Sequence, residues 1–135
     1  MFSHIMIGAR DLEEMVAFYD GVLAPLGMRR VVDLQEVGEA GIIWQQGDRR
    51  WPQFALRRPF NGLPATWGNG VLISFATPSR ATVDLVWSTA IGKGAHDEGA
   101  PGLRLRYAED FYAAYCRDPE GNKLCFVHAQ GLSAE

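Results

Sequence analysis

The sequence is poor in cysteine, has no long apolar run and carries little excess charge. Its two cysteines, Cys116 and Cys125, are too few for a disulfide framework, so we expect them to be reduced in a cytoplasmic setting. No apolar stretch approaches the roughly 18 residues of a membrane-spanning helix, and the first residues show no signal-peptide pattern. These absences argue against secreted, fibrous and membrane proteins and against a membrane partner.

The charge balance also limits the partners. The formal net charge is −3 at pH 7, whereas a nucleic-acid-binding domain usually carries a basic face. Three arginine pairs between residues 29 and 58 lie among acidic residues, which favours a solvated rim over a binding patch. With 135 residues, of which 47% are hydrophobic and 21% charged, the chain is predicted to form one globular domain with no nucleic-acid partner.

An internal duplication is the main feature of the sequence. Residues 4–27 and 72–95 overlay without a gap after a shift of 68 positions, although few residues are identical. Each segment is typical of a short apolar strand, a turn and a helix with apolar residues at helical spacing. Asp11 is predicted to cap the first helix with Glu14 as its partner, and Thr77 is predicted to cap the second.

Each helix is followed by apolar segments that turn residues interrupt. We expect three strands after each helix, and these lie at about residues 28–33, 41–46, 52–57, 102–107, 111–117 and 123–129. The loop Asp118–Asn122 between the last two has Pro and Gly where a hairpin turn needs them. The chain 1–135 is therefore interpreted as a single domain. A strand-helix-strand-strand-strand module spans about 1–58, a linker about 59–69 and a second module about 70–130.

Two similar half-sheets packed side by side would enclose a cleft lined by the inward faces of their central strands. Because side chains alternate along a strand, His4 and Met6 share a face. The shift of 68 positions makes Leu72 and Ser74 their counterparts in the second module. Apolar residues occur on both faces of the last strand, so periodicity leaves open whether Cys125 points into the cleft.

The stretch from Ala100 to His128 carries a pattern of a known family. Its marks are Pro101-Gly102-Leu103-Arg104, Tyr107, Tyr112-Ala113-Ala114 and Asp118-Pro119-Glu120-Gly121-Asn122. This stretch resembles the vicinal-oxygen-chelate superfamily of glyoxalases, bleomycin-resistance proteins and extradiol dioxygenases. The first segments of the two modules resemble the same family, and they read HIMIGARDLEEMVAFYDGVLAPLG and GNGVLISFATPSRATVD. The resemblance covers nearly the whole chain and implies an α+β fold of paired βαβββ modules that form an open, barrel-like sheet. It also implies a homodimer, which members of the family commonly form.

The resemblance further implies a divalent-metal site built from inward residues of the two modules. Its first ligand falls on His4 and is retained, whereas Leu72 and Cys125 stand where the family has a His and a Glu. A catalytic site generally needs three protein ligands, so no cofactor is expected. The alternative is a divalent metal bound by His4 with a non-standard ligand set, in which a thiolate would favour zinc.

Arg104 and Arg106 are candidate ligand-binding residues. They alternate with apolar residues in a predicted strand, so both guanidinium groups would lie on one face and hold a substrate carboxylate or phosphate. The alternative is a surface pair that Glu109 or Asp110 neutralises. Aromatic residues would supply flat pocket walls, and the candidates are Tyr107, Tyr112, Tyr115, Trp44 and Trp87, the last of them favoured as a core residue.

The remaining histidines and cysteines have two interpretations each. His4 is either a polar group hydrogen-bonded at a strand end or a pocket residue able to act as a general base. Cys125 is favoured as an inert buried thiol, because no cationic residue adjoins it in the sequence, and Cys116 is favoured as structural. His96 and His128 match no ligand position of the family and are expected to be non-functional.

These residues favour a protein that binds a small organic molecule without catalysing a reaction, as bleomycin-resistance proteins do. Its metal site would be degenerate. No catalytic residue is assigned. The candidate ligand-binding residues are His4, Met6, Leu72, Ser74, Arg104, Arg106, Tyr107 and Cys125. The alternative is a metal-dependent lyase, isomerase or dioxygenase, and a third hypothesis is an interaction module whose cleft is filled by side chains.

Overall fold

The computed structural model describes residues 1–31 and 41–132, which form two compact units that meet in sequence at Thr66 and Trp67. The first unit contains β1 (His4–Gly8), α1 (Leu12–Leu23), a 3-10 turn (Ala24–Leu26), β2 (Met28–Arg30), β3 (Ile42–Gln46) and β4 (Gln53–Arg57). The second contains β5 (Ile73–Ala76), α2 (Arg80–Gly92), β6 (His96–Leu103), β7 (Tyr112–Arg117) and β8 (Lys123–His128).

Both units have the same sheet topology. The strand orders are β1-β4-β3-β2 and β5-β8-β7-β6. In each sheet the first strand runs parallel to the last strand of its unit, and the other pairings are antiparallel. Two mixed four-stranded sheets with one helix each confirm the predicted α+β fold of two βαβββ modules.

The core of the first unit lies between α1 and one face of its sheet. Alternation along β3 and β4 directs Trp44, Phe54 and Leu56 to this face, and all three are buried. Tyr19 of α1 packs against them, with its ring centroid 4.8 Å from that of Phe54. Burial of aromatic side chains of this size dominates the stability of small cores.

The ends of α1 follow the sequence signals. Asp11 is the N-cap and accepts a hydrogen bond from the Glu14 backbone N–H at 3.1 Å, which confirms the predicted cap. Pro25 lies in the 3-10 turn that ends the helix, and Gly27 follows in a left-handed conformation with φ of 76°. Glycine adopts that conformation without the steric cost that a Cβ would add.

The predicted start of α2 is wrong by two residues. Ser79 is the N-cap, and its hydroxyl accepts from the Thr82 backbone N–H at 3.1 Å. Thr77 is instead buried in the second unit, where its hydroxyl donates to the carbonyls of Ser79 and Val127. Thr77 therefore ties β5 to β8, and the next residue with a suitable side chain caps the helix.

The second strand of the second unit is also displaced from its predicted position. It runs over His96–Leu103 rather than about 102–107, and its register with β7 shifts on both sides of Gly99. Residues 104–107 form a turn closed by the Tyr107 N–H, which donates to the Arg104 carbonyl at 3.0 Å. The alternation predicted for Arg104 and Arg106 on a strand is therefore wrong.

The hairpin between β7 and β8 has the predicted turn chemistry. The buried Asp118 carboxylate accepts from the backbone N–H groups of Glu120 and Asn122 and from the Asn122 side chain at 2.8–3.0 Å. Gly121 has φ of 94°, and a Cβ there would lie 2.7 Å from the Trp67 ring. Both the backbone conformation and the packing therefore require glycine at this position.

Part of one predicted strand is outside the described residues. The segment predicted at about 28–33 is a strand over Met28–Arg30, and residues 32–40 are not described.

Within the described ranges no helix has the combination of length and apolar character that crossing a membrane requires.

Candidate functional site

The face of the second sheet opposite α2, which we call the open face, places three polar side chains side by side. Ser74, Cys125 and Tyr115 are register partners on the adjacent strands β5, β8 and β7. Side chains at the same register of neighbouring strands project to the same face. Tyr112 has the opposite parity on β7 and reaches α2, where its hydroxyl donates to Asp84 at 2.6 Å.

Cys125 on the open face is a neutral thiol in an apolar setting. Its side chain is buried with Ala113 and Val127. Burial raises the pKa of this thiol above its ordinary value, and hydrogen bonds from the Ser74 and Tyr115 hydroxyls offset the increase only in part. A neutral buried thiol is a poor nucleophile.

Cys116 lies next to this site in the sequence but on the other face of the sheet. It pairs with Leu124, and burial raises the pKa of the Cys116 thiol to about 12. Neither cysteine forms a disulfide within the described part of the chain. The opposite orientation of Cys116 and Cys125 follows from the hairpin register, in which Cys125 is the partner of Tyr115, the residue before Cys116.

Beside Tyr115 lies an open pocket of about 310 Å³, which we call the arginine pocket. Its lining residues are Glu98, Arg104, Arg106, Tyr107, Tyr115 and Lys123. They come from β6, from the turn after it, and from the facing ends of β7 and β8. Three of the predicted ligand-binding residues, Arg104, Arg106 and Tyr107, are thus brought together.

The turn and the bulged strand β6 position Arg104. Its guanidinium folds back over β6 and donates to the Ala100 carbonyl at 2.8 Å. A Cβ on Gly99 or Gly102 would lie 3.1 Å from its terminal nitrogens, so these glycines leave the space that the guanidinium occupies. The same group lies 5.6 Å from the centroid of the Tyr115 ring, within range of a cation–π contact.

The other cations of the arginine pocket also lie beside tyrosine rings. The Arg106 guanidinium is 5.7 Å from the Tyr107 ring, and the Lys123 ammonium is 5.8 Å from the Tyr115 ring. Tyr107 itself packs on Phe111, with ring centroids 5.1 Å apart. Burial is the main reason that the pKa of Tyr115 rises to about 12, so this phenol stays protonated near neutral pH.

Glu98 is the acidic member of the pocket, and a cation outside the lining already pairs with it. Its carboxylate accepts from Arg117 Nε at 2.6 Å. Arg117 also donates to the Gly121 carbonyl at 2.9 Å, so this ion pair is continuous with the hairpin. Glu98 was not among the sequence-predicted residues, because the strand was predicted at about 102–107 and Glu98 lies before that range.

The predicted neutralisation of the two arginines by nearby acids is not observed. The Asp110 carboxylate accepts from the Gln130 backbone N–H at 2.8 Å instead. Neither Arg104 nor Arg106 forms an ion pair with a residue in the ranges 1–31 and 41–132. Their charges are therefore available to a ligand.

The sequence-predicted residues of the first unit lie at the surface. His4 is exposed, its Nδ1 is hydrogen-bonded with the Ser3 hydroxyl at 2.9 Å, and its ring is 6.5 Å from that of Trp51. Met6 is 53% exposed on the same face of β1. Both point away from the face that packs on α1, as the alternation of β1 requires.

The metal centre that the family resemblance implies does not fit the donors present. Leu72 has no donor atom and is 45% exposed immediately before β5, and Cys125 stands where the family has a carboxylate. Among the described residues, no group of three or more His, Cys, Asp and Glu side chains is arranged to hold a metal ion. His4 and Cys125 are at most two of the implied ligands, where such a site generally requires three.

Several aromatic and histidine side chains have structural positions instead. Trp44 is buried in the first unit, and its indole N–H donates to Asp20 at 2.9 Å. Trp87 is half-buried on α2, and its buried indole nitrogen has no hydrogen-bond partner among described residues. His128 donates from Nδ1 to the Thr77 carbonyl at 2.9 Å, and His96 is exposed at the start of β6.

Lys123 is a pocket residue that the sequence reasoning missed, although a signal for it exists. It lies two positions before Cys125 on β8, so alternation places both on the open face.

The fold and this site define a class of protein. The family model of the Glyoxalase/Bleomycin resistance protein/Dioxygenase superfamily matches residues 1–126 of this chain. The chain therefore belongs to that superfamily, which confirms the family resemblance.

Solved structures support the same assignment. A glyoxalase/bleomycin resistance protein from Albidiferax ferrireducens T118 is 37% identical, with a TM-score of 0.81 over 96% of this chain and 98% of that one. A lactoylglutathione lyase from Agrobacterium tumefaciens is 22% identical, with a TM-score of 0.63 over 96% of this chain and 93% of that one. At that identity the similarity concerns the fold alone. A search of curated proteins gave no significant match.

Proposed function

We propose that this protein binds a small organic acid in the arginine pocket without a bound metal. The observation that carries the proposal is the convergence of Arg104 and Arg106 on one pocket with Tyr107 and Tyr115. Guanidinium groups form charge-assisted, often bidentate hydrogen bonds with carboxylates. The tyrosine rings provide flat apolar walls for the body of such a ligand.

The neighbouring open face suits binding better than chemistry. Ser74 provides an exposed hydroxyl one strand away from the Cys125 thiol, which is buried with Ala113 and Val127. None of these groups is a strong base or an activated nucleophile near neutral pH. The degenerate metal positions at Leu72 and Cys125 support the same interpretation.

Binding of benzoate and benzamide measured by calorimetry tests this proposal. The two probes have similar shape, but only benzoate carries a charge for the arginines. We expect benzoate to bind more tightly by about 1 kcal/mol, or about fivefold, less than the roughly 1.5–3 kcal/mol of a charged hydrogen bond because the pocket is open. Equal affinity for the two probes would refute the proposal.

Matched arginine variants test whether the preference for benzoate over benzamide comes from the arginine pocket. Arg104→Gln and Arg106→Gln should each reduce the preference for benzoate over benzamide. Arg29→Gln is the control, because it makes the same change of net charge in the first unit, where Arg29 pairs with Asp48 at 2.7 Å. A loss of preference in the control equal to that in the pocket variants would place the acid elsewhere.

A further inference from the structure

The arginine pocket carries more positive charge than a single carboxylate would balance. Three cations line it, and the acidic Glu98 is paired with Arg117, which is not a lining residue. We propose that the pocket binds a small organic dianion, with either two carboxylates or one phosphate monoester group. This inference rests on the proposed function and narrows its ligand class.

Two of these cations lie beside the Tyr115 ring. Arg104 and Lys123 lie 5.6 Å and 5.8 Å from the centroid of the same ring. Two like charges beside one ring repel each other, and a second negative charge on the ligand lowers the energy of both. A monoanion leaves at least one of them unbalanced.

Arg104 is arranged before any ligand arrives. One terminal N–H is used by the Ala100 carbonyl at 2.8 Å, which fixes the guanidinium plane against β6. A side chain that is already ordered loses little conformational entropy on binding. The volume of about 310 Å³ corresponds to a ligand with a single ring.

A charge series of aromatic probes tests the inference at low ionic strength and about pH 8, where a phosphate monoester has lost both protons. Benzamide, benzoate, phthalate and phenyl phosphate carry zero, one, two and two negative charges. We expect at least one dianion to bind about 3- to 10-fold more tightly than benzoate, with the advantage reduced by added salt. The tighter of the two identifies the preferred group, paired carboxylates or phosphate.

The outcomes separate this inference from the proposed function. If benzoate binds better than benzamide but neither dianion binds better than benzoate, the pocket takes a monoanion and the dianion inference is wrong. If no acid binds better than benzamide, the proposed function fails as well.

The two lysines of the chain provide a matched pair of variants. Lys123→Gln should abolish most of the preference for the dianion over benzoate, because it removes the third cation. Lys93→Gln makes the same change of net charge at the C-terminal end of α2, outside the pocket lining, and should retain the preference. Equal losses in the two variants would mean that overall charge, not this pocket, selects the dianion.

A third variant moves a charge without removing it. Gly102→Ala places a Cβ 3.1 Å from an Arg104 terminal nitrogen and should displace the guanidinium. Affinity for benzoate and for the dianion should both fall about 3-fold or more. Gly92→Ala at the end of α2, where a Cβ meets nothing within 4 Å, is the control. Unchanged affinity in Gly102→Ala would contradict the placement of Arg104.

Discussion

Cys125 occupies the position where the superfamily resemblance implies a carboxylate ligand. The substitution changes a charged oxygen donor into a neutral thiol that is 1% exposed. Its hydrogen bonds come from Ser74 and Tyr115, which are register partners in the same sheet. The residue is better suited to complete an apolar face than to coordinate an ion.

The thiols should therefore react slowly with alkylating agents. Burial raises the pKa of both Cys116 and Cys125, so the thiolate fraction near neutral pH is smaller than that of an exposed cysteine. We expect iodoacetamide to modify the native protein much more slowly than the denatured chain, as followed by intact mass. Modification of the native protein at the rate of the denatured chain would contradict this description.

The purified protein should carry well under one equivalent of any first-row divalent metal. Leu72 provides no ligand atom, so His4 and Cys125 together fall short of the three protein ligands that a catalytic site generally needs. Elemental analysis before and after dialysis measures the metal content. A stoichiometric ion that survives dialysis and is lost in His4→Ala would reverse the conclusion.

At the scale of the elements, capping groups decide where the helices begin. Asp11 caps α1 as its sequence position predicts, whereas α2 is capped by Ser79 because the Thr77 hydroxyl bonds within the sheet. A local motif predicts a cap correctly only when tertiary contacts do not recruit the same side chain.

Ser79→Ala should destabilise the protein by about 1 kcal/mol, the usual cost of losing an N-cap. Chemical denaturation measures the change in the free energy of unfolding. Ser88→Ala is the control, because Ser88 lies inside α2, is exposed and bonds only locally to the Leu85 carbonyl. A cost for Ser88→Ala as large as that for Ser79→Ala would show that the cap is not responsible.

The irregular strand β6 affects the candidate site more than either helix cap does. The strand runs from His96 to Leu103, so Arg104 to Tyr107 lie in a turn. This geometry, rather than alternation, brings Arg104 and Arg106 to one pocket. Glycines at 99 and 102 make it possible, since each leaves space beside the Arg104 guanidinium.

At the scale of the whole molecule, the duplication offers a test of how the two modules combine. The family resemblance implies that positions 4, 72 and 125 contribute to one site. The double variant Leu72→His and Cys125→Glu should then create a three-ligand site with His4. Without metal it should lose a few kcal/mol, mainly from the Glu placed at the buried position 125.

Metal should restore the stability of that double variant, because an ion that binds only the folded state raises the melting temperature with its concentration. Thermal melting with added Zn²⁺, Ni²⁺ or Mn²⁺ should show this rise, and the further change His4→Ala should abolish it. A rise that does not depend on His4 would mean that the three positions do not share a site.

The homodimer and the cytoplasmic location remain predictions.

The sequence by itself determined the two βαβββ modules, the cap of α1 at Asp11 and the shared face of His4 and Met6. These properties depend on local periodicity, turn residues and the chemistry of single side chains, which residues close together in the sequence specify. Only the tertiary structure decided that Glu98 and Lys123 join the arginines and that Tyr112 and Trp44 do not. Those contacts depend on the β6 bulge and on pairing between distant strands, which local patterns do not specify.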